Sequence, residues 1–289
     1  MRPAAALVSL HVAVALFGVA GLFGAWIDLG PVAIVLGRTL VAALALCALA
    51  LATRTFAPPT AGLALNGLVL AVHWVSFFAA IKAASVAVGL IGYASFPLFT
   101  LLLEAMAGER RGTRRDVGVA ALVVVGLLLT VPRFERDEPV LLGLAWGLVS
   151  GATFAWLAVR NRGLTRSHAA RAIALWQNVF AAACLLPLAV LVERPSWPTA
   201  RDLAMLVVLG VACTALAHTL FVASLATLSA HTASVVAALE PAYGIALAAA
   251  LLGERPMPGM LAGAALLVIA ALVASRKAVA QASPGRMPP

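Results

Sequence analysis

Four polar side chains stand where an apolar chain has least use for them: Arg38, His73, His218 and Glu240 each lie inside long apolar runs. A charged side chain at the centre of a bilayer costs about 3 kcal/mol on insertion scales, so it normally faces a wet cavity or a partner. Glu240 is followed by Pro241, which removes one backbone donor and frees the carbonyl four residues back, at Ala237. Backbone loosened in this way is tolerated at membrane depth only inside protein or beside water. Glu240 therefore reads either as a cavity carboxylate that meets a cation or takes up a proton, or as an acid that fixes packing beside Pro241. Arg38 is paired, with Glu240 or an anionic solute, or else it snorkels to the outer surface.

The companions of these groups fall on helical stripes. Asn66, His73 and Phe77, with Trp74 beside His73, share one face at spacings of seven and four. Polar groups flanked by aromatics suit either a lining for a partly apolar solute or hydrogen bonding between helices. Thr214, His218 and Phe221 repeat the pattern, and Trp176, Gln177 and Asn178 supply polar groups without charge. Tyr93, four residues before Pro97, contributes the carbonyl that this proline leaves unpaired, and its ring is a further lining candidate. The candidate solute-contacting or coupling residues are thus Glu240, His73, Trp74, Arg38, Tyr93, Phe77, His218 and Gln177, with Pro97 and Pro241 as hinges. Neither a zinc-type spacing nor any other metal motif is present, and no cofactor is expected.

What must position these groups is a membrane-spanning bundle. The chain has 289 residues, 63% of them hydrophobic and 11% charged, outside the range of a soluble domain. Its net charge of +9 comes from short basic clusters between apolar runs, which fits membrane topology rather than a nucleic-acid face. Cys47, Cys184 and Cys213 lie in apolar runs without CxxC spacing and read as buried small side chains. The apolar runs give ten expected spans, at 4–27, 30–52, 61–82, 85–107, 115–132, 139–160, 170–192, 203–225, 228–252 and 257–275. The first follows Arg2 like a signal peptide but is too long in its apolar part, and is read as a span. With the N-terminus inside, thirteen of the 20 Lys and Arg fall on the inner side and six on the outer, Arg38 lying within a span. That bias puts both termini in the cytoplasm.

The polar stretch PRFERDEP at 132–139 divides the chain into halves of five spans. Pro97 is followed by Gly108-Glu109-Arg110, and 144 to 145 residues later Pro241 is followed by Gly253-Glu254-Arg255. At the offset of 144 Phe77, Ala79 and Ser85 meet Phe221, Ala223 and Ser229 and Glu240 falls on Phe96, while earlier in each half RTLVAALAL from Arg38 can be laid on QNVFAAACL from Gln177. Five spans per half require the second to insert upside down. Inverted repeats broken at matching positions are the plan of secondary carriers, with a site near the midplane. Gly143, Gly147 and Gly151, four apart, read as a close-packing stripe. Glu104 reads as a boundary residue, and Arg110, Arg111, Arg114 and Arg115 as topology and headgroup contacts.

On these motifs, and on the stretch HWVSFFAAIKAASVAVGLI from His73, the chain resembles the EamA family of the drug/metabolite transporter superfamily over nearly its whole length. The resemblance implies an all-α polytopic protein of ten transmembrane helices in two inverted EamA-like repeats: residues 4–132, a linker 133–139, residues 140–275, and a disordered cytoplasmic tail 276–289. It further implies an exporter of small metabolites, such as amino acids or related compounds, working by alternating access in the inner (plasma) membrane. Its partners would be a small-molecule solute, protons as a coupling ion and the lipid bilayer, with one chain sufficient for function. A channel-like uniport pathway is the alternative, and an intramembrane enzyme a more distant one. There is no GxxxxGK[ST] phosphate loop, HExxH or GxSxG motif in the chain.

Overall fold

The computed structural model describes residues 1–93, 95–108, 113–130, 138–193, 197–243, 246 and 258–281. Its elements are helical: α1 (Pro3–Trp26), α2 (Pro31–Ala52), α3 (Ala61–Ala83), α4 (Val86–Tyr93), α5 (Phe96–Met106), α6 (Arg114–Thr130), α7 (Glu138–Leu164), α8 (Ala170–Leu188), α9 (Ala200–Gly210), α10 (Ala217–Leu225), α11 (Ala230–Ala237) and α12 (Pro258–Gln281). A π-helical turn, Ala189–Glu193, follows α8, and a second, Val211–Leu216, joins α9 to α10. The starts obey simple rules. Proline opens α1, α2 and α5, where its missing N–H costs nothing. The hydroxyls of Thr60 and Ser229 cap α3 and α11, and Thr199 with Asp202 forms a reciprocal capping box on α9.

Among the described residues, seven helical stretches are long and apolar enough to cross a bilayer: Pro3–Trp26, Pro31–Ala52, Ala61–Ala83, Glu138–Leu164, Ala170–Leu191, Ala200–Leu225 and Pro258–Arg276. The expected span 85–107 is divided into α4 and α5. The expected span 115–132 corresponds to α6, of 17 residues. The expected span 228–252 begins with α11 and runs beyond the described residues, as do Glu109, Arg110, Arg111, the Gly253-Glu254-Arg255 motif, most of the 133–139 linker and residues 282–289. The tail differs from expectation, because α12 continues through Ser275-Arg276-Lys277 to Gln281. These are good helix formers, and no proline or glycine interrupts them before Pro284.

The bundle is apolar outside and polar within. Leu44, Leu51 and Leu191 are exposed, whereas Asn66, Gln177, Asn178, Ser150 and Thr214 are fully buried. Lipid accepts the leucines, and only the protein interior can satisfy the amides. Helices from the two halves of the chain interleave: α3 packs on α7 and α8, α2 on α8, α1 on α10, and α6 on α12.

Close approach fixes α4 against α7. A Cβ on Gly147 would lie 2.8 Å from the Cα of Gly92 and 2.9 Å from the carbonyl oxygen of Gly89, and backbone atoms cannot step aside. Gly147→Val should therefore lower the thermal unfolding midpoint in detergent, by an overpacking cost of about 1–3 kcal/mol. Gly118→Val, where nothing lies near the added Cβ, should not.

Candidate functional site

Two breaks place the central residues. Between α4 and α5 the chain turns at Ser95, whose N–H and hydroxyl both donate to the carbonyl of Gly92. Between α11 and the short helical segment at 240–243 it turns at Ala238 and Leu239, with Leu239 N–H donating to Val236 O. Phe96-Pro97 and Glu240-Pro241 each open the helical segment after the break. Proline is suited to that first turn, and the residue before it is aimed inward: Phe96 is 1% exposed and Glu240 5%.

Arg38, His73, Trp74, Phe77, Tyr93, His218 and Glu240 line one cavity, together with Phe17, Ala20 and Phe154. Its volume is about 30 Å³, room for about two waters and far below the roughly 300–1,000 Å³ of ordinary ligand pockets. Gln177 stands one layer behind the wall, hydrogen-bonded to His218 Nε2 at 3.0 Å and to Asn161.

Arg38 neither snorkels nor forms an ion pair with Glu240. It is 2% exposed; its Nε donates to Thr214 Oγ1 at 2.9 Å and its Nη2 to the carbonyl of Cys213 at 3.2 Å. Both acceptors sit in the π-turn Val211–Leu216. A backbone carbonyl has two lone pairs and can take a guanidinium bond beside its helical one. The guanidinium carbon lies 4.1 Å from the centre of the Trp74 ring, a cation–π contact strengthened by desolvation. Gly210 makes this crossing possible, since a Cβ there would lie 3.1 Å from Arg38 O and collide with Val41. Across the cavity, the Glu240 carboxylate has no hydrogen bond or ion pair among the described residues.

His73 lies stacked on Phe154, centroids 4.6 Å apart, and Phe154 continues the stack to Phe221 at 5.0 Å. Tyr93 lies over Phe96 at 5.6 Å and Trp74 meets His218 edge-on at 5.7 Å. Behind His218 runs a buried amide network: Asn66 Nδ2 donates to Asn161 Oδ1 at 2.8 Å, and Gln177 Nε2 donates to the same oxygen at 2.5 Å. Asn66 is thus bonded between helices and lines no part of the cavity. Phe17 and Phe154 were not anticipated. Phe154 could have been, because it follows Gly147 by seven residues and Gly151 by three, on the same face of α7. Glu104, expected at a boundary, is buried and accepts the His231 N–H at the start of α11. Among the described residues, no group of three His, Cys, Asp or Glu is arranged to hold a metal ion.

Asn161 is the keystone of the amide network. Asn161→Leu strands donors on both Asn66 and Gln177, at about 1–3 kcal/mol each, whereas Asn66→Leu leaves Asn161 Oδ1 still bonded to Gln177. The first variant should lower the unfolding midpoint clearly more than the second.

Residues 141–276 match the EamA-like transporter family. The chain is 25% identical over 203 residues to a protein of Archaeoglobus fulgidus named an uncharacterized transporter, covering 70% of this chain and 72% of that one. It is 26% identical over 200 residues to the uncharacterized transporter YwfM of Bacillus subtilis, covering 69% of this chain and 68% of that one. A solved crystal structure superposes with a TM-score of 0.80 at 18% identity, covering 98% of this chain and 100% of that one, which shows the shared fold. With seven helices among the described residues long enough to span lipid, these likenesses support a multi-pass membrane transporter whose residues 141–276 are similar to the EamA-like transporter family.

Proposed function

We propose that the chain is a ten-span secondary transporter of the inner (plasma) membrane, built as two inverted five-helix repeats with both termini cytoplasmic. It exports small metabolites, such as amino acids or related compounds, by alternating access through the cavity around Arg38 and Glu240, working as a single chain. Helix α6, the divided pair α4–α5 and the stretch beginning at α11 supply the three spans beyond the seven long helices. One observation carries this reading: opposite charges from Arg38 and Glu240, two histidines and a set of aromatic faces converge on one chamber from both halves of the chain. A structural core would fill such a space with apolar side chains, because burying an uncompensated charge is costly.

The chamber as it stands holds no more than water. This conformation is therefore a closed one, and solute enters only when helices part around the breaks at Ser95 and at Ala238–Leu239. Glu240 is the coupling group in this scheme: taking up and releasing a proton removes or restores a charge that the closed chamber must accommodate. Pro97 and Pro241 are the hinge residues, since each stands where the helical hydrogen-bond ladder is already interrupted.

In proteoliposomes, purified protein should give saturable, pH-dependent solute flux. Glu240→Gln should abolish the pH dependence while leaving folded protein; flux unchanged at every pH would remove Glu240 from the mechanism, and ohmic current would replace the carrier with a channel. Arg38→Lys should also impair flux, at least tenfold, because a point charge cannot reproduce a fork spanning Thr214, Cys213 and the Trp74 face. Tags on the two chain ends should both be accessible from the cytoplasm only.

A further inference from the structure

The two histidines of the chamber, one from each half of the chain, are each tied at a single and different ring nitrogen. His73 Nδ1 lies 3.0 Å from the backbone oxygen of Ser150 and 3.0 Å from its hydroxyl. A carbonyl only accepts, so Nδ1 carries the proton and Nε2 is a bare acceptor. His218 is held by the other nitrogen, its Nε2 3.0 Å from Gln177 Oε1. The direction of this bond is set further back. Asn161 Oδ1 accepts from Asn66 and from the amide nitrogen of Gln177, which leaves Gln177 presenting its oxygen to the ring. His218 Nε2 must then carry the proton, and Nδ1, buried and without a protein partner among the described residues, is the acceptor.

We propose that Gln177 is a positioning residue that, together with the Ser150 carbonyl, locks His218 and His73 in opposite tautomers, so that the chamber, once opened, offers His73 Nε2 and His218 Nδ1, the latter enclosed in this conformation, as acceptors to a primary ammonium group of the solute. The Glu240 carboxylate is a third acceptor in the same lining, and an ammonium carries three donors. Arg38 turns two of its five donors away from these acceptors, to Thr214 and Cys213. The ammonium assignment rests on the chamber being the transport site; the tautomers do not.

The test is nitrogen NMR of the full chain in nanodiscs with labelled histidine, resonances being assigned from His73→Gln and His218→Gln. His73 should show the Nδ1–H tautomer and His218 the Nε2–H tautomer. Gln177→Met should release His218 into a mixture while His73, pinned independently by Ser150, keeps its signature and reports an intact fold. Gln177→Glu retains an acceptor and should retain the His218 tautomer. Methylammonium should shift the two bare nitrogens, and acetonitrile, similar in size but without donors, should not. Gln177→Met should weaken methylammonium binding about twofold, the factor by which an even tautomer mixture dilutes the competent form. A proton on His218 Nδ1, or a Gln177→Met protein with unchanged His218 tautomer and affinity, overturns the proposal. Tautomers and methylammonium binding as expected, without flux of any amine in proteoliposomes, would sustain the site and sink the transporter reading instead.

Discussion

A guanidinium held at 2% exposure inside a lipid-embedded bundle is the constraint from which the centre of this molecule follows. Desolvating that charge is tolerable only if acceptors and an aromatic face compensate it. No carboxylate forms an ion pair with Arg38 among the described residues. Instead a π-turn, Val211–Leu216, brings the Cys213 carbonyl and the Thr214 hydroxyl to it, and α3 brings the Trp74 face. Thr214 in turn donates to the Leu209 carbonyl at 2.7 Å, so its hydroxyl has both directions fixed. The cation is thereby held by α2, α3 and the α9–α10 junction together, and Glu240 faces the same cavity without a hydrogen bond or ion pair among the described residues.

The remaining polarity of the interior has a division of labour. One set of groups faces the chamber, and a second set, Ser150, Gln177, Asn161 and Asn66, lies behind it and is spent on holding the first. In lipid this inversion is natural, because the outside of the bundle needs no polar groups and only the interior can supply partners for them. Wide π-turns and broken helices are the means by which the backbone supplies acceptors without leaving the membrane.

Much of the site was legible in the sequence, for one reason. An ionisable or aromatic residue inside a long apolar run is expensive, so Arg38, His73, Trp74, Phe77, Tyr93, His218 and Glu240 announced themselves, and all seven line the cavity. The prolines marked the breaks because a missing N–H is visible without coordinates. What stayed hidden depended on register and on tertiary partners. Gln177 looked like a lining residue because an amide in an apolar run is also expensive, but cost alone cannot distinguish the wall from the layer behind it. Phe17 and Phe154 are apolar among apolar neighbours and carried no signal of their own. The π-turn has no compositional mark beyond the preceding Gly210, and Asn161, set between Arg160 and Arg162, looked like the end of a helix rather than the centre of a network. The fold's helical character followed from hydropathy, whereas the way α3 is embraced by α7 and α8 did not.

The glycine seam between α4 and α7 has a mechanical meaning. Where Gly89 and Gly92 meet Gly147 there is no side chain to act as a bearing, so neither helix can slide or roll without moving the other. These two rods travel as one strut that ties the first half of the chain to the second. Widening of the cavity then falls to what lies beyond this strut, the breaks at Ser95 and at Ala238–Leu239 and the flank where α1 meets α10 and α11 through side chains that can change rotamer.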